Sequence, residues 1–399
     1  MSDPRARVPR TLRRGNEEGY TPKLISIGPF HHGKPELTDM KEKKKLYMKN
    51  FLQREEINEI LSFIKDYEKT IRACYAEAFR LQSIEFVMMI LYDSIFIIEI
   101  FIREQLDVRS DISLVTISLC TDLQLFENQL PYFVLEQIYM LAFTSTDMPF
   151  TFKQLSYRFF SAFTCVELTA LSLEVKHFTD WKRINLLKSS LETSSLETVS
   201  DNKWIHDLPC AVKLHESGVK FKKIHIGGEQ SLFDIKFDKR KQLIPFFEVH
   251  ELQMPQLLVD EGTQRLFENI IALEQCLYPE DTQVCNYVEL MTYLINTKED
   301  MDLLVEKEII SNKLGDNVLV ANMFNKLNVL QRPSSYYHVY AQLKRHYDNP
   351  WNRVKVNLKI GTLKRVYFNN PWRGAATIAA IILLLLTIVQ TVCSILQIV

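Results

Sequence analysis

The chain has 399 residues, 47% of them hydrophobic, enough to bury a substantial core in one large domain or two, so disorder is not the default. With 48 Lys plus Arg against 49 Asp plus Glu, there is no global basic field to point to nucleic acid as a partner. Glycine is scarce, at 11 residues, while Leu, Ile, Glu and Lys abound, a composition that suits long helices better than turn-rich β architectures.

Residues 1–18 form a basic N-terminal extension with no apolar run to serve as the core of a signal peptide. From Met40 to Arg80 a charged helical pattern, with apolar Leu46, Phe51, Ile57, Leu61 and Ile64, predicts one or two amphipathic surface helices, and the run Lys41 to Lys45 reads as a solvated face. The apolar stretch Ile84 to Ile102 contains Glu85, Asp93 and Glu99, each costly at bilayer depth, so it reads as a buried helix of a water-soluble body.

Thr121 to Ala142 is apolar almost throughout around Pro131, which is expected to open or kink a helix, with Glu127, Asn128 and Gln129 as its caps. The five-residue unit SSLET, at Ser189 to Thr193 and again at Ser194 to Thr198, marks residues 188–203 as a variable loop. Ser231 to Phe237 and Leu243 to Val249, separated by the charged turn Asp238 to Lys241, predict a short β-hairpin. Helical patterns resume at Arg265 to Cys276, Tyr287 to Thr297 and Asp300 to Ile310.

The fold class expected is therefore mainly α: a helical globular body over residues 19–348 with a small β-hairpin, followed by one C-terminal transmembrane helix. The basis for the last element is the uncharged run Ala375 to Val399, long enough to cross about 30 Å of hydrocarbon. The preceding segment, residues 349–373, carries Arg353, Lys355, Lys359, Lys364, Arg365 and Arg373 with no acid, interspersed with Trp351, Tyr367, Phe368 and Trp372. These are expected to sit at the membrane interface on its cytoplasmic side, as in a tail-anchored, single-pass protein of the plasma membrane or endomembranes. The absence of any Asn-x-Ser/Thr sequon points the same way. Ala376, Ala380, Thr387, Gln390, Thr391 and Ser394 form a small, hydrogen-bonding stripe expected to pair the helix with a second copy or another membrane helix.

No chemical motif is visible. The nine histidines show no zinc-binding spacing, there is no GxSxG, P-loop, GxGxxG or kinase signature, and the seven dispersed cysteines read as reduced thiols. No catalytic, cofactor-binding or metal-ligating residue is assigned, and no cofactor is expected.

The block GYTPKLISIGPFHHG at Gly19 to Gly33 resembles the opening signature of the plant family called domain of unknown function 247. Further blocks follow in the family's order: Asp122 to Leu135, Glu216 to Lys223, Ser231 to Phe237, Asn269 to Cys276, Leu294 to Leu304 and Tyr367 to Trp372. The resemblance spans nearly the whole chain and implies plant origin, a helical domain with a C-terminal anchor and no established catalytic residues. The association of some grass members with self-incompatibility suggests recognition. The sequence departs from the family after Ile244 to Phe246, and Asp93, Ser94 and Ile95 stand where an Asp-Gly-Cys motif is usual.

Two readings follow: a non-enzymatic recognition or signalling protein with an unknown protein partner, or an enzyme of unknown class with a pocket around residues 20–32 and 122–129. A pocket with convergent His and carboxylate groups favours the second, and a solid core beneath those motifs favours the first.

Overall fold

The computed structural model describes residues 7–53, 57–75, 79–106, 114–143, 148–161, 174–193, 203–224, 231–241, 248–327, 329–330, 332–352, 379–380, 382–384 and 386–391. Its first half is helical: α1 (Arg10–Gly15), α2 (Asp39–Leu52), α3 (Asn58–Asp66), α4 (Glu68–Ala73), α5 (Ser83–Leu106), α6 (Leu114–Leu123), α7 (Tyr132–Ala142), α8 (Phe152–Ser161) and α9 (Phe178–Thr193). The second half runs α10 (Ala211–Glu216), β1 (Val219–Ile224), β2 (Lys236–Lys241), β3 (Glu248–Pro255), β4 (Leu257–Val259), α11 (Thr263–Leu277), α12 (Gln283–Leu294), α13 (Lys298–Glu306), β5 (Ile310–Asn312), α14 (Asn317–Lys326) and α15 (Tyr337–Asp348).

The described residues bury two apolar clusters. One is built by the first half, where the wall of Ile and Phe on α5 packs with Phe51, Ile60, Leu135, Phe152, Phe178 and Trp181. The other surrounds α11 and α12, with Phe267, Tyr287, Met291, Leu304 and Phe324 at its centre and the apolar face of β1, β2 and β3 against it. Helix α9 serves both, because Trp181 and Ile184 face the first cluster and Leu187, one turn on, faces the second. The N-terminal segment also joins them, contributing Val8, Leu12 and Tyr20 to the second cluster and Ile25 and Ile27 to the first.

Several sequence expectations hold. Pro131 opens α7, its ring fixing φ at −56° just before the first helical residue. The Ile84 to Ile102 stretch is a buried protein helix in which Asp93 and Glu99 are each 2% exposed. The Met40 to Arg80 region is helical as expected, but it forms three helices, α2 to α4, where one or two were expected.

Others are corrected. The expected hairpin is part of a mixed three-stranded sheet of order β1-β3-β2, in which β2 and β3 run antiparallel and β1 adds in parallel to β3. Its strands start five residues later than the apolar runs suggested, because Phe237 and Leu252, not Phe233, pair across the ladder. The first SSLET unit belongs to α9, which continues to Thr193. Glu127, Asn128 and Gln129 do not cap α7, whose Pro131 has no side-chain cap bond.

The transmembrane element is corrected too: among the described residues, no helix is long and apolar enough to cross a membrane. A span needs about 20 consecutive apolar residues, whereas the longest uninterrupted described stretch within 375–399 is residues 386–391, which are helical. The 24-residue α5 has the length, but it carries Glu85, Asp93, Glu99, Arg103 and Glu104 and packs against protein.

Candidate functional site

A polar seam runs between the two apolar clusters, built around the blocks Gly19 to Gly33 and Asp122 to Leu135 and joined by side chains from α1, α2, α5 and α11. At its centre is Asp122, buried at the end of α6. Its carboxylate accepts the backbone N–H groups of Lys23, Leu24 and Ile25 at 3.0, 2.6 and 3.0 Å, with Arg265 of α11 3.7 Å away. Asn128 continues the row: its carboxamide oxygen accepts from Ile27 N–H at 2.7 Å, and its nitrogen donates to the carbonyls of Ile25 and Asp122 at 2.9 and 3.0 Å. One side chain thus plays the part of a neighbouring strand for an isolated extended segment, satisfying backbone groups that burial would otherwise leave unpaired.

The flanks follow the same plan. Asp93 accepts from Gly28 N–H at 2.8 Å and pairs with Lys44, whose ammonium also donates to the Ser26 carbonyl. Lys44 is therefore the one member of the lysine run from 41 to 45 with a buried ion-pair partner among the described residues. Glu127 accepts from Val8 N–H at 2.9 Å and pairs with Arg13 of α1. Asn269 of α11 accepts from Phe126 N–H and donates to the Gly19 carbonyl, both at 2.9 Å. Burial raises the pKa of neighbouring Glu268, while its bonds from Asn16 and Gln264 pull the other way.

The backbone conforms to the seam at Gly28, where φ is +70° and a Cβ would lie 2.7 Å from the Gln129 carbonyl oxygen, so glycine meets both the conformational and the spatial demand. His31 is 2% exposed, and an interaction with the Tyr20 backbone favours its charged form only weakly against burial. Burial, with Lys34 and Arg13 adding to it, pushes its pKa down to about 3, so the ring is neutral at physiological pH. His32 is exposed. Among the described residues, no group of three or more His, Cys, Asp or Glu side chains is placed to hold a metal ion.

At one end the seam opens into a cleft of about 400 Å³. Of the two segments singled out from the sequence, only Phe30, Phe126, Glu127 and Gln129 reach it, and the others lie in the seam beneath. Aromatic side chains dominate its walls: Phe30 meets Tyr75 edge-on at 6.1 Å, and Phe126 stacks on His177 at 5.4 Å and 25°. Most of its polar groups are engaged elsewhere. Gln129 donates to Leu125 O and Thr179 Oγ1 and accepts from Phe178 N–H, and Tyr75 Oη donates to Gln129 O. Burial, helped by Lys176, lowers the pKa of His177 to about 4, and its Nδ1 is buried without a hydrogen-bond partner.

The residues expected at a membrane interface, Arg353, Lys355, Lys359, Lys364, Arg365, Trp372 and Arg373, lie outside the described residues, as do Ala376 and Ser394. Ala380, Thr387, Gln390 and Thr391 are helical and exposed. The Thr387 and Thr391 hydroxyls donate back to the carbonyls of Leu383 and Thr387, both at 2.7 Å.

Sequence reasoning missed the roles of Asp93, Lys44 and Asn269, along with a buried ion pair between Arg183 of α9 and Glu274 of α11. The one available signal was an isolated acid or amide inside an apolar helical stretch, which burial makes costly unless a partner is supplied.

Residues 6–386 match the family model DUF247, described as plant protein of unknown function, and the chain belongs to that family. It is similar to UPF0481 protein At3g47200 of Arabidopsis thaliana, with 26% identity covering 98% of this chain and 86% of the relative. It is also similar to the putative UPF0481 protein At3g02645 of the same plant, with 22% identity covering 96% and 88% of the two chains. No solved structure matches.

Proposed function

We propose that this plant protein is a non-enzymatic recognition protein, a helical body that presents its surface to a protein partner. One observation carries the reading: Asp122, Glu127 and Asn128 of its motif blocks accept hydrogen bonds from the backbone of the N-terminal segment. Asp122 alone takes three consecutive N–H groups. A general base or nucleophile needs a lone pair within reach of substrate, and the Asp122 carboxylate, with three backbone donors on one oxygen and Arg265 beside the other, does not line the cleft.

The enzyme alternative draws on the cleft, where His177, Glu127 and Glu174 share the lining. Against it, Glu127 is held by Val8 N–H and Arg13, and no hydrogen bond joins His177 to a carboxylate among the described residues. Catalytic groups are commonly retained at a cost in stability, so replacing them leaves a fold unharmed or firmer. Thermal melts of Asp122→Asn, Asn128→Ala and Glu127→Gln test the assignment. Each is expected to lower Tm by at least about 2 °C in a domain of this size. Unchanged or raised melting temperatures for Asp122→Asn and Glu127→Gln would return these carboxylates to a functional role and sink the reading.

A further inference from the structure

We propose that the outer edge of β1 is a docking site for an extended acidic segment of a partner protein, which adds to the sheet as a fourth strand. Such a site rests on the recognition reading above, and it specifies the chemistry of the partner.

In the sheet of order β1-β3-β2, β1 lies at one edge, while β2, at the other, packs against α15. A strand presents alternate backbone N–H and C=O groups to its two sides. On one side β1 pairs with β3 along its whole length, from Val219 opposite His250 to Ile224 opposite Pro255. On the other side, among the described residues, no hydrogen bond from another segment reaches the backbone of Lys220 to Ile224. The strand is held ready for a neighbour. Val219 and Phe221 are buried in the second apolar cluster, α10 packs against β1, and His215 Nδ1 lies 3.2 Å from the Val219 carbonyl oxygen. A template that is already ordered removes part of the entropy lost on binding.

Charge decides what can pair there. The edge strands are cationic, with three Lys in VKFKKI of β1 and four Lys or Arg against one Asp in KFDKRK of β2, although the chain as a whole has a net charge of −1. Lys220 and Lys222 alternate with the buried residues and are exposed. Among the described residues Lys220 has no ion-pair partner, Lys222 reaches Glu251 only at 3.7 Å, and Lys223 pairs with the exposed Glu308. A second copy of β1 would set lysine against lysine, and cationic edges of this kind keep sheets from pairing with one another. An acidic strand turns the same lysines into cross-strand ion pairs while its backbone satisfies the open edge, the strand-addition mode of peptide recognition.

The test titrates the full-length chain with a fluorescein-labelled peptide, Glu-Val-Glu-Val-Glu-Val-Glu, and with its Lys-for-Glu analogue, by fluorescence anisotropy at pH 7. Saturable binding of the acidic peptide is expected, with the cationic one weaker by at least about ten-fold. Lys220→Gln combined with Lys222→Gln changes only exposed side chains and should weaken the acidic peptide by about five-fold, with the melting curve unchanged. Two further acidic peptides, N-methylated on one or the other alternate set of amides, separate strand pairing from charge. One set faces β1 and the other faces away, so one methylated peptide should lose at least about ten-fold in affinity and the other should bind nearly as well as the parent. No saturable binding would overturn the proposal, as would equal affinity for the cationic peptide, an affinity unmoved by the double lysine variant, or equal affinity of the two methylated peptides. None of these outcomes bears on the melting test of the seam carboxylates, so the two readings fail separately.

Discussion

The carboxylate of Asp122 receives the backbone N–H of Leu24 at 2.6 Å, across 98 positions of sequence. Because Lys23 and Ile25 donate to the same group, one side chain fixes three residues of the strap that joins the two apolar clusters. Asp122→Ala leaves three N–H groups without an acceptor, that of Ile25 buried and those of Lys23 and Leu24 part-buried, and a buried group left unsatisfied costs about 1–3 kcal/mol. A loss of at least about 3 kcal/mol is expected in urea denaturation. Asp122→Asn, a weaker acceptor of similar shape, should lose less than the alanine variant.

Arg183 and Glu274 meet at 2.8 Å with side chains 8% and 0% exposed, and Glu274 also accepts from Val284 and Cys285 N–H in the first turn of α12. Arg183 reaches Asp281 as well, at 2.8 Å. Breaking a buried pair strands the remaining charge, so Glu274→Ala or Arg183→Ala should each cost about 3–5 kcal/mol. The double variant should cost clearly less than the sum, a coupling that a double-mutant cycle measures.

Gly28 tests the seam from the backbone side. Its φ of +70° and the 2.7 Å approach of a Cβ to Gln129 O make Gly28→Ala both strained and crowded. The expected loss is at least about 2 kcal/mol. Gly33 also has a positive φ, +79°, but no atom lies within 4 Å of its Cβ position, so Gly33→Ala should cost only about 1 kcal/mol. Comparing the two melts separates backbone strain from contact.

Stability should depend on pH through opposed groups. Burial holds His31 near 3 and His177 near 4, against the usual 6.5, so below pH 6.5 the unfolded chain takes up protons that the native state does not, and stability falls with pH. Glu289 is pushed the other way, up to about 7 by burial. Its contribution is fully present below pH 4.5 and is lost as pH rises through 7. Two histidines outweigh one glutamate, so these groups together give a net decline from neutral pH to pH 5. Each can contribute a slope of up to about 1.4 kcal/mol per pH unit. Glu289→Gln should stabilise the protein more at pH 7 than at pH 5, and thereby steepen the acid side. An equal gain at both values in denaturant titrations would show that Glu289 titrates normally.

Local pattern was sufficient wherever an element is defined by its own residues. The acids inside the Ile84 to Ile102 stretch marked a helix buried in protein, and Pro131 marked the start of α7, because the cost of a buried charge and the fixed φ of proline act within one segment. The alternation around Phe237 announced a pair of strands, but not the parallel addition of β1, which depends on a partner about 30 positions away. For the C-terminal run, composition alone suggested a span, and among the described residues no such helix is found.

The sequence by itself thus determined a mainly helical body and the identity of its polar motif residues. Only the tertiary structure decided what those residues do. In the sequence Asn128 reads as a helix cap, Asp93 as a costly acid in a buried helix and Asp122 as part of a candidate pocket segment, because the strap they bind lies far away in the chain. Brought within 3 Å of unpaired backbone groups, they become the hydrogen-bond partners that let an isolated extended segment lie between two apolar clusters, since a buried N–H must find an acceptor wherever in the chain that acceptor is encoded.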